Sequence, residues 1–264
     1  MSTNWEHIDK CAKEWIKEAG ERIHQAFRKT LTIETKSSRS DLVTNVDKEV
    51  EQFFIERIRQ TFPSHRVLGE EGFGDCISAL DGIVWIIDPI DGTMNFIHQR
   101  RNFAISIGIF ADGIGMLGYV YDVVHDELYY AQKGKGAFLN DQPLPVLQSV
   151  SIPEAIICLN ASWIIENKQV DPKQLARLVQ EVRGTRSYGS AALEMAYIAA
   201  GRLDAYLTMR LSPWDFAGGL VIVKEVGGLV TNMDGEPLDL LGPSSVFVSK
   251  PGLHREILQQ YIRK

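Results

Sequence analysis

The sequence predicts a fold that joins an α+β half to an α/β half, and three observations lead to this class. Residues 5–27 and 47–62 place apolar side chains at helical spacing, which predicts two amphipathic helices packed on a core. Residues 103–132 contain three short segments separated by turn residues, two of them rich in β-branched and aromatic residues, which predicts an antiparallel meander. From about Pro143 onward, strand-like and helix-like segments alternate, as they do in α/β folds.

Each element of the first half has a local physical reason. The apolar stripe of the first helix includes Trp5 and Phe27. Pro63 ends the second helix, because proline lacks a backbone N–H and its ring clashes with the preceding turn. Residues 67–69 predict a short strand. Residues 83–87, Ile-Val-Trp-Ile-Ile, predict a fully buried strand, since the run is continuously apolar and turn-forming residues follow it.

The second half predicts shorter alternating elements. The pattern of predicted helices and strands changes near residue 140, and no flexible linker marks the change. We therefore expect two subdomains, residues 1–140 (α+β) and 141–264 (α/β). They would share a buried interface and one cleft. The predicted strands are residues 155–160, 184–188, 203–209, 228–232 and 245–249, and the predicted helices are residues 171–182, 189–200, 215–226 and 253–262.

Composition narrows the classes of function. The chain has 264 residues, with 45% hydrophobic and 23% charged residues, which is ordinary for a globular protein. A net charge of −6 gives no reason to expect nucleic-acid binding. The three cysteines show no C-x-x-C spacing, which argues against zinc or disulfides and favours a reducing cytoplasm. The polar start is not typical of a signal peptide, and no apolar run approaches the ~20 residues of a membrane span.

The most informative segment is residues 83–96, IVWIIDPIDGTMNF. The predicted strand is followed by Asp88 and Asp91, and then by Gly92 and Thr93, which suit a tight turn into a helix. Carboxylate oxygens are ligands for hard cations such as Mg²⁺, and a helix N-terminus favours an anion such as phosphate. A site that binds both predicts metal-assisted phosphate chemistry.

This segment resembles the inositol monophosphatase family, the Mg²⁺-dependent, Li⁺-inhibited phosphomonoesterases. Two further blocks are similar to that family and fall in the same order: residues 41–47 (DLVTNVD), followed by Gly69-Glu70-Glu71, and residues 213–219 (PWDFAGG). The three blocks span most of the chain. The resemblance implies the five-layered αβαβα sandwich of the sugar phosphatases, with most metal ligands in the N-terminal subdomain. It also implies a cytoplasmic, lithium-sensitive homodimer that needs no nucleic acid or membrane as partner.

The resemblance also implies a metal site. Two to three Mg²⁺ ions, with Mn²⁺ as an alternative, would be held by Glu70, Asp88, the backbone carbonyl of Ile90, Asp91 and Asp215, with Asp88 bridging. Four carboxylates so close together would resist ionisation unless cations neutralised them. The six histidines are dispersed, which argues against zinc.

Catalytic roles follow from the same resemblance. Glu70 and the Thr93 hydroxyl, the latter oriented by Asp47, would deprotonate a metal-activated water. The backbone N–H groups of Gly92 and Thr93 would bind the phosphate. Asp47 also suits a plain helix N-terminal acid, and the two roles are compatible. Glu71 is disfavoured as a ligand because adjacent side chains on an extended segment point to opposite faces.

The substrate is less constrained than the reaction. The family places a glutamate that contacts the inositol ring where this chain has Thr208, and such a contact can carry much of the discrimination. Inositol 1-phosphate is the first expectation, while NADP 2′-phosphate, fructose 1,6-bisphosphate and 3′-phosphoadenosine 5′-phosphate stay open. Gly189, Ser190 and Ala191 predict a wall for the leaving group, or simply a helix cap by Ser190. The predicted substrate-binding residues are Asp91, Gly92, Thr93, Gly189, Ser190, Ala191, Thr208 and Asp215.

Two rival functions deserve comparison. A haloacid-dehalogenase phosphatase uses an apolar strand followed by D-x-D-G-T, with the first aspartate as nucleophile. Here Asp88 and Asp91 are three residues apart, which argues against that mechanism. A regulatory or binding protein that retained the fold is the second rival. Loss of an active-site acid would have indicated it, and none of Glu70, Asp91 or Asp215 is lost.

Overall fold

The structure is a computed structural model, and it describes residues 3–36, 38 and 42–262. Asp41, the first residue of the DLVTNVD block, lies outside the described residues. The helices are α1 (Trp5–Ala26), α2 (Asn45–Thr61), α3 (Thr93–Gln99), α4 (Pro172–Glu181), α5 (Ala191–Ala199), α6 (Pro213–Glu225) and α7 (Leu253–Ile257). The strands are β1 (Ile33–Thr35), β2 (Leu42–Thr44), β3 (Arg66–Gly69), β4 (Ile83–Asp91), β5 (Ala104–Ala111), β6 (Ile114–Asp122), β7 (Glu127–Gln132), β8 (Gly136–Leu139), β9 (Gln142–Pro143), β10 (Ile156–Leu159), β11 (Gly184–Arg186), β12 (Ala205–Leu211), β13 (Leu229–Thr231) and β14 (Ser244–Ser249).

Two large sheets organise the chain. The first has seven strands in the order β3-β4-β5-β6-β7-β8-β9, parallel between β3 and β4 and antiparallel from β4 onward. The second has five strands in the order β11-β10-β12-β14-β13, in which β10 runs parallel to both neighbours and β14 antiparallel to both. A short β1–β2 hairpin lies beside them. The predicted meander and the predicted α/β alternation are therefore confirmed.

Helices cover and separate the sheets, which makes five layers. Helices α1 and α2 pack on one face of the seven-stranded sheet. Helices α5 and α6 pack between the two sheets, and α4 and α7 cover the outer face of the five-stranded sheet. Strand β4 shows the two-sided packing, because Trp85 and Ile87 belong to the outer core while Val84 and Ile86 belong to the middle one. The αβαβα prediction is confirmed.

Helix α6 approaches the seven-stranded sheet unusually closely, and glycines permit it. A Cβ at Gly118 would lie 2.4 Å from the carbonyl oxygen of Gly218, and a Cβ at Gly218 would lie 2.5 Å from that of Tyr119. A Cβ at Gly108 would lie 2.7 Å from the backbone of Ala217. The nearest atoms at these points belong to the backbone, so neither side can move aside easily.

Three predicted boundaries need correction. The strand predicted at residues 83–87 continues to Asp91, because a register shift between Asp88 and Asp91 accommodates Pro89 within the pairing with β5. Helix α2 begins at Asn45 instead of Asp47, since Thr44 caps it. The last helix is α-helical only to Ile257 and continues as a π-helical turn, Leu258–Ile262.

The boundary near residue 140 stays a prediction. Strand β9 follows that position and still pairs with β8 of the first sheet. None of the described helices combines the length and apolar character that a membrane crossing requires.

Replacing Gly218 with alanine tests the close approach of α6. The added methyl would meet the Tyr119 carbonyl at 2.5 Å, so we expect the free energy of unfolding to fall by about 1–3 kcal/mol. Gly184→Ala is the matched control, because its nearest contact would be a guanidinium nitrogen of Arg186 at 3.6 Å. It should change stability by no more than about 0.5 kcal/mol. Urea denaturation measures both, and equal effects would show that α6 can shift.

Candidate metal centre and substrate cavity

Three carboxylates, two of them buried and the third half-buried, meet where the seven-stranded sheet faces α6. One ligand oxygen from each of Asp88, Asp91 and Asp215 lies within 4.8 Å of the others. Asp88 and Asp91 end strand β4, and Asp215 lies in the first turn of α6. Ser106 on β5 donates a hydrogen bond to the carbonyl oxygen of Trp214 at 3.1 Å, which fastens that turn to the sheet.

The register shift in β4 explains how Asp88 and Asp91 face the same side. Residues three apart on a regular strand point to opposite faces. Asp88 pairs with Ser106 and Asp91 with Ala104, so three steps on β4 match two on β5. The additional residue is a bulge, which reverses the alternation after it. Both carboxylates therefore point toward Asp215.

The electrostatics of the cluster call for a cation. Burial, together with the charges of Glu70, Asp91 and Asp215, raises the pKa of Asp88 well above its usual range. Burial raises the pKa of Asp91 to about 6, and burial and Asp91 raise the pKa of Asp215. Ion pairs among the described residues involve none of these three carboxylates. An all-oxygen site of this kind fits a hard divalent ion.

Glu70 lies beside the cluster and not within the group of three. Its charge raises the pKa of Asp88, so the two side chains are neighbours. Lys36 Nζ lies 3.0 Å from Glu70 Oε1 and 2.6 Å from Glu71 Oε1. The Glu70 side chain is 19% exposed and the Glu71 side chain 3%. Glu70 is thus the more accessible of the two acids, and Lys36 contacts both.

Glu51 is a positioning residue that the sequence analysis missed. It is fully buried on α2 and accepts hydrogen bonds from the backbone N–H groups of Glu71 at 2.7 Å and Phe73 at 3.0 Å. A Cβ at Gly69 would lie 2.4 Å from its carboxyl carbon. The available indication was an acid on the apolar face of a predicted helix. This contact holds the segment that carries Glu70.

Thr93 and Asp47 are in contact, as predicted. The Thr93 hydroxyl lies 3.1 Å from Asp47 Oδ1 and 3.1 Å from the carbonyl oxygen of Ile90. Asp47 is fully buried and also accepts from the backbone N–H of Thr44 at 2.9 Å, as the acid of a capping box. Burial raises its pKa to about 7. Both predicted roles of Asp47, helix acid and partner of Thr93, are therefore present.

Gly92 forms the turn from β4 into α3. Its φ of 97° is in the left-handed region that favours glycine. A Cβ there would lie 3.1 Å from the carbonyl oxygen of Asn102 and 3.2 Å from that of Gly189. The turn therefore lies against the loop before α5. Phosphate binding by the N–H groups of Gly92 and Thr93 stays a prediction.

Ser190 joins the metal centre to α5. Its hydroxyl donates to Asp91 Oδ2, which also accepts the backbone N–H of Ala192 at 2.8 Å. The Ser190 oxygen accepts the N–H of Leu193 at 3.3 Å, so Ser190 caps the helix as well. Of the two interpretations of Ser190, the capping role is confirmed, and its hydroxyl is engaged by Asp91.

A cavity of about 230 Å³ opens beside the carboxylates. Asp91 and Asp215 line it together with Thr208 and the predicted leaving-group wall, Gly189–Ala191. Gly92 and Thr93 are not part of its lining. A larger cavity, about 550 Å³, lies at the carboxyl end of α6 and contains none of the predicted site residues. The smaller cavity is therefore the candidate substrate site.

Asp88→Asn tests two effects of the carboxylate cluster: its destabilisation of the metal-free protein and its binding of Mg²⁺. Removing one buried charge relieves repulsion, so we expect the melting temperature in chelator to rise by roughly 2–4 °C for each kcal/mol gained. Saturating Mg²⁺ should stabilise the wild type, by about 2.7 kcal/mol at 100 times Kd, and the variant far less. Scanning calorimetry measures both. Exposed Asp234→Asn is the control, and an equal Mg²⁺ effect in all three proteins would contradict a metal site.

Ser190→Ala should weaken metal binding without removing a proposed ligand. Asp91 Oδ2 would keep only the Ala192 N–H, and loss of such a supporting partner typically costs about 10–100-fold in metal affinity. Isothermal calorimetry with Mg²⁺ measures the change. Ser187→Ala removes a hydroxyl from the same cavity without touching Asp91 and should bind Mg²⁺ normally. Unchanged affinity in Ser190→Ala would show that the contact does not tune Asp91.

Known proteins share both sequence and fold with this chain. The model of the inositol monophosphatase family matches residues 4–264. An inositol-1-monophosphatase of Bacillus subtilis is 60% identical over 260 residues, 98% of each chain. The structure of SaIMPase-II with bound inositol monophosphate is 45% identical, with a TM-score of 0.87, covering 97% of this chain and 93% of that one.

A more distant structure also matches. An IMPase/NADP phosphatase, complexed with Mg²⁺ and phosphate, is 31% identical with a TM-score of 0.89, covering 97% of this chain and 95% of that chain. The family model, the sequence identity and the shared fold agree over nearly the whole length. The chain belongs to the inositol monophosphatase family.

Proposed function

We propose that the protein is a Mg²⁺-dependent phosphomonoesterase that hydrolyses inositol 1-phosphate. One observation carries the proposal: Asp88, Asp91 and Asp215 cluster without a cationic partner among the described residues, and two of them, Asp91 and Asp215, line a small cavity. The 60% identical relative bears the name inositol-1-monophosphatase. The chain is a phosphoric monoester hydrolase of that family, and the choice of inositol 1-phosphate is the finer part of the proposal.

The proposed metal ligands are Glu70, Asp88, the carbonyl of Ile90, Asp91 and Asp215. Two to three Mg²⁺ ions, or Mn²⁺ in their place, would be bound by these oxygens. The ions would neutralise the charges of the carboxylates. Bound Mg²⁺ supplies Lewis acidity toward phosphate oxygens and lowers the pKa of water. The fit rests on the donor set, since buried, closely spaced carboxylates with raised pKa values bind divalent ions and little else.

The chain itself positions the nucleophile. The single Thr93 hydroxyl proton can be donated to Asp47 Oδ1 or to the Ile90 carbonyl, each 3.1 Å away, and the lone pairs of the Thr93 oxygen would then accept from an attacking water. A proton taken from that water can pass through Thr93 to Asp47. Glu70, partly exposed at the edge of the cluster, is the second proposed base.

The leaving alcohol would occupy the cavity. Gly189, Ala191 and Thr208 line it opposite the carboxylates. Ser190 contributes to the wall, but its hydroxyl is bound to Asp91, so its role is to orient that carboxylate. Asp215 lines the same cavity, and it would orient a water that protonates the departing oxygen.

Other substrates and roles are secondary proposals. Because one relative is described as an IMPase/NADP phosphatase, NADP 2′-phosphate is a second candidate substrate. Together with fructose 1,6-bisphosphate and 3′-phosphoadenosine 5′-phosphate, it forms a panel of alternative substrates. A purely regulatory role has no support, because every acid of the proposed machinery is present. Cytoplasmic location, lithium sensitivity and a homodimer that needs neither nucleic acid nor membrane complete the proposal.

Phosphate release from that panel and from inositol 1-phosphate tests the function. We expect release from inositol 1-phosphate with Mg²⁺ and none with chelator. Thr93→Val should lower kcat by about 10²–10⁴-fold, as loss of a proton-transfer group does, while Thr93→Ser keeps the hydroxyl and most of the activity. Release that is independent of Mg²⁺, or full activity in Thr93→Val, would overturn the mechanism. Mg²⁺ binding without any turnover would overturn the function for these substrates.

A further inference from the structure

Glu194 is a buried acid in the substrate cavity that the mechanism does not use. It lies in the first turn of α5 and is only 4% exposed. It lines the same cavity as Asp91, Asp215 and Thr208. A carboxylate is seldom buried without partners, so both of its oxygens need an account.

One oxygen of Glu194 is used by the protein and the other is not. Oε1 accepts the backbone N–H groups of Tyr188 at 2.6 Å and Gly189 at 3.3 Å. Oε2 accepts from no donor among the described residues. Among the described residues, the polar side-chain atoms that are both inaccessible and without a hydrogen-bond partner are Trp163 Nε1, Gln174 Oε1 and Ser249 Oγ. Oε2 of Glu194 is not one of them, so it is accessible. Since Glu194 lines the cavity, Oε2 is open to what the cavity holds.

Further polar groups surround this oxygen. Tyr206 and Thr208 point to the same side of β12, because they are two residues apart, and both line the cavity. Burial raises the pKa of Tyr206, and the charge of Glu194 raises it further, so the two side chains are close. Trp163 adds another wall, but its indole N–H is sealed from the cavity. The cavity thus offers acceptors and hydroxyls.

We infer that Glu194 is a specificity-determining residue whose Oε2 accepts hydrogen bonds from hydroxyl groups of the leaving alcohol. This inference rests on the proposed function and names its substrate class, a monophosphate of a cyclitol or sugar. Glu194 supplies, from α5, the carboxylate that Thr208 does not supply from β12. A site built to bind a hydroxyl rejects analogues that lack it, because its own polar group is left unpaired.

The same carboxylate selects against other members of the panel. A second phosphate in the cavity would meet the Glu194 carboxylate at close range, and like charges repel strongly away from water. A nucleobase would present few hydroxyl donors to Oε2. We therefore expect polyol monophosphates to be preferred over bisphosphates and over nucleotide 2′- or 3′-phosphates.

Glu194→Gln is the sharpest test, because it replaces Oε2 and keeps an oxygen that can accept from Tyr188 and Gly189. The amide oxygen can still accept from Tyr188 and Gly189, while an NH₂ donor replaces Oε2. We expect kcat/KM for inositol 1-phosphate to fall about 10–100-fold, the usual value of a hydrogen bond to a charged group. With p-nitrophenyl phosphate, whose leaving group has no free hydroxyl, we expect a change of less than about two-fold.

Monodeoxy analogues of inositol 1-phosphate locate the contact. For the hydroxyl that Glu194 binds, the deoxy substrate should lose activity with the wild type and lose no more with Glu194→Gln, as in a double-mutant cycle. An equal fall on both substrates would show that Glu194 only supports the Tyr188–Gly189 turn, which overturns the inference. No fall on inositol 1-phosphate overturns it as well.

A binding measurement separates this inference from the proposed function. Calorimetric titration with free myo-inositol needs no turnover. Binding that the wild type shows and Glu194→Gln loses supports the inference even if neither protein releases phosphate, in which case the proposed function alone fails. Equal binding by the two proteins, or none by either, overturns the inference while leaving phosphate release as an independent result.

Discussion

Repulsion among three closely spaced carboxylates is the constraint on which the rest of the structure depends. Loss of solvent raises the pKa values of Asp88, Asp91 and Asp215, and the charges of neighbouring acids raise them further. A protein can hold such a group only if well-packed elements over-determine it. These elements are the bulged strand β4, which carries two of the carboxylates, and helix α6, which packs closely over it. The remaining negative charge calls for a cation.

Close packing and helix capping together fix the position of the acids. Glycine contacts bring α6 against β5 and β6, so the first turn of α6 lies directly over the end of β4. Asp47 and Asp215 each occupy the third position of a capping box, with Thr44 and Ser212 as the capping residues. Asp215 Oδ2 accepts the Ser212 N–H at 2.7 Å. One oxygen of each acid thus stabilises a helix, while the other is directed to the site.

The cavity shows how neighbouring layers share one site. Strand β4 provides Asp91, α5 provides Ser190 and Glu194, and β12 provides Thr208. The hydrogen bond from Ser190 to Asp91 couples the carboxylate cluster to the wall of the cavity. The position of Asp91 and the shape of the cavity therefore depend on the same contact between sheet and helix.

The sequence by itself determined the order and type of most elements, since apolar periodicity is a local property, and its resemblance to the family implied the αβαβα class and the acids of the centre. Only the tertiary structure decided that β4 carries a bulge that turns Asp88 and Asp91 to one side. It alone placed Glu51 behind Glu70 and Glu194 in the cavity. Those two acids lie on helices whose sequence shows only an acid among apolar residues. The partners of Glu51 are backbone N–H groups of Glu71 and Phe73, which are distant in the chain. The partners of Glu194 lie in the turn before α5, whose direction the fold sets.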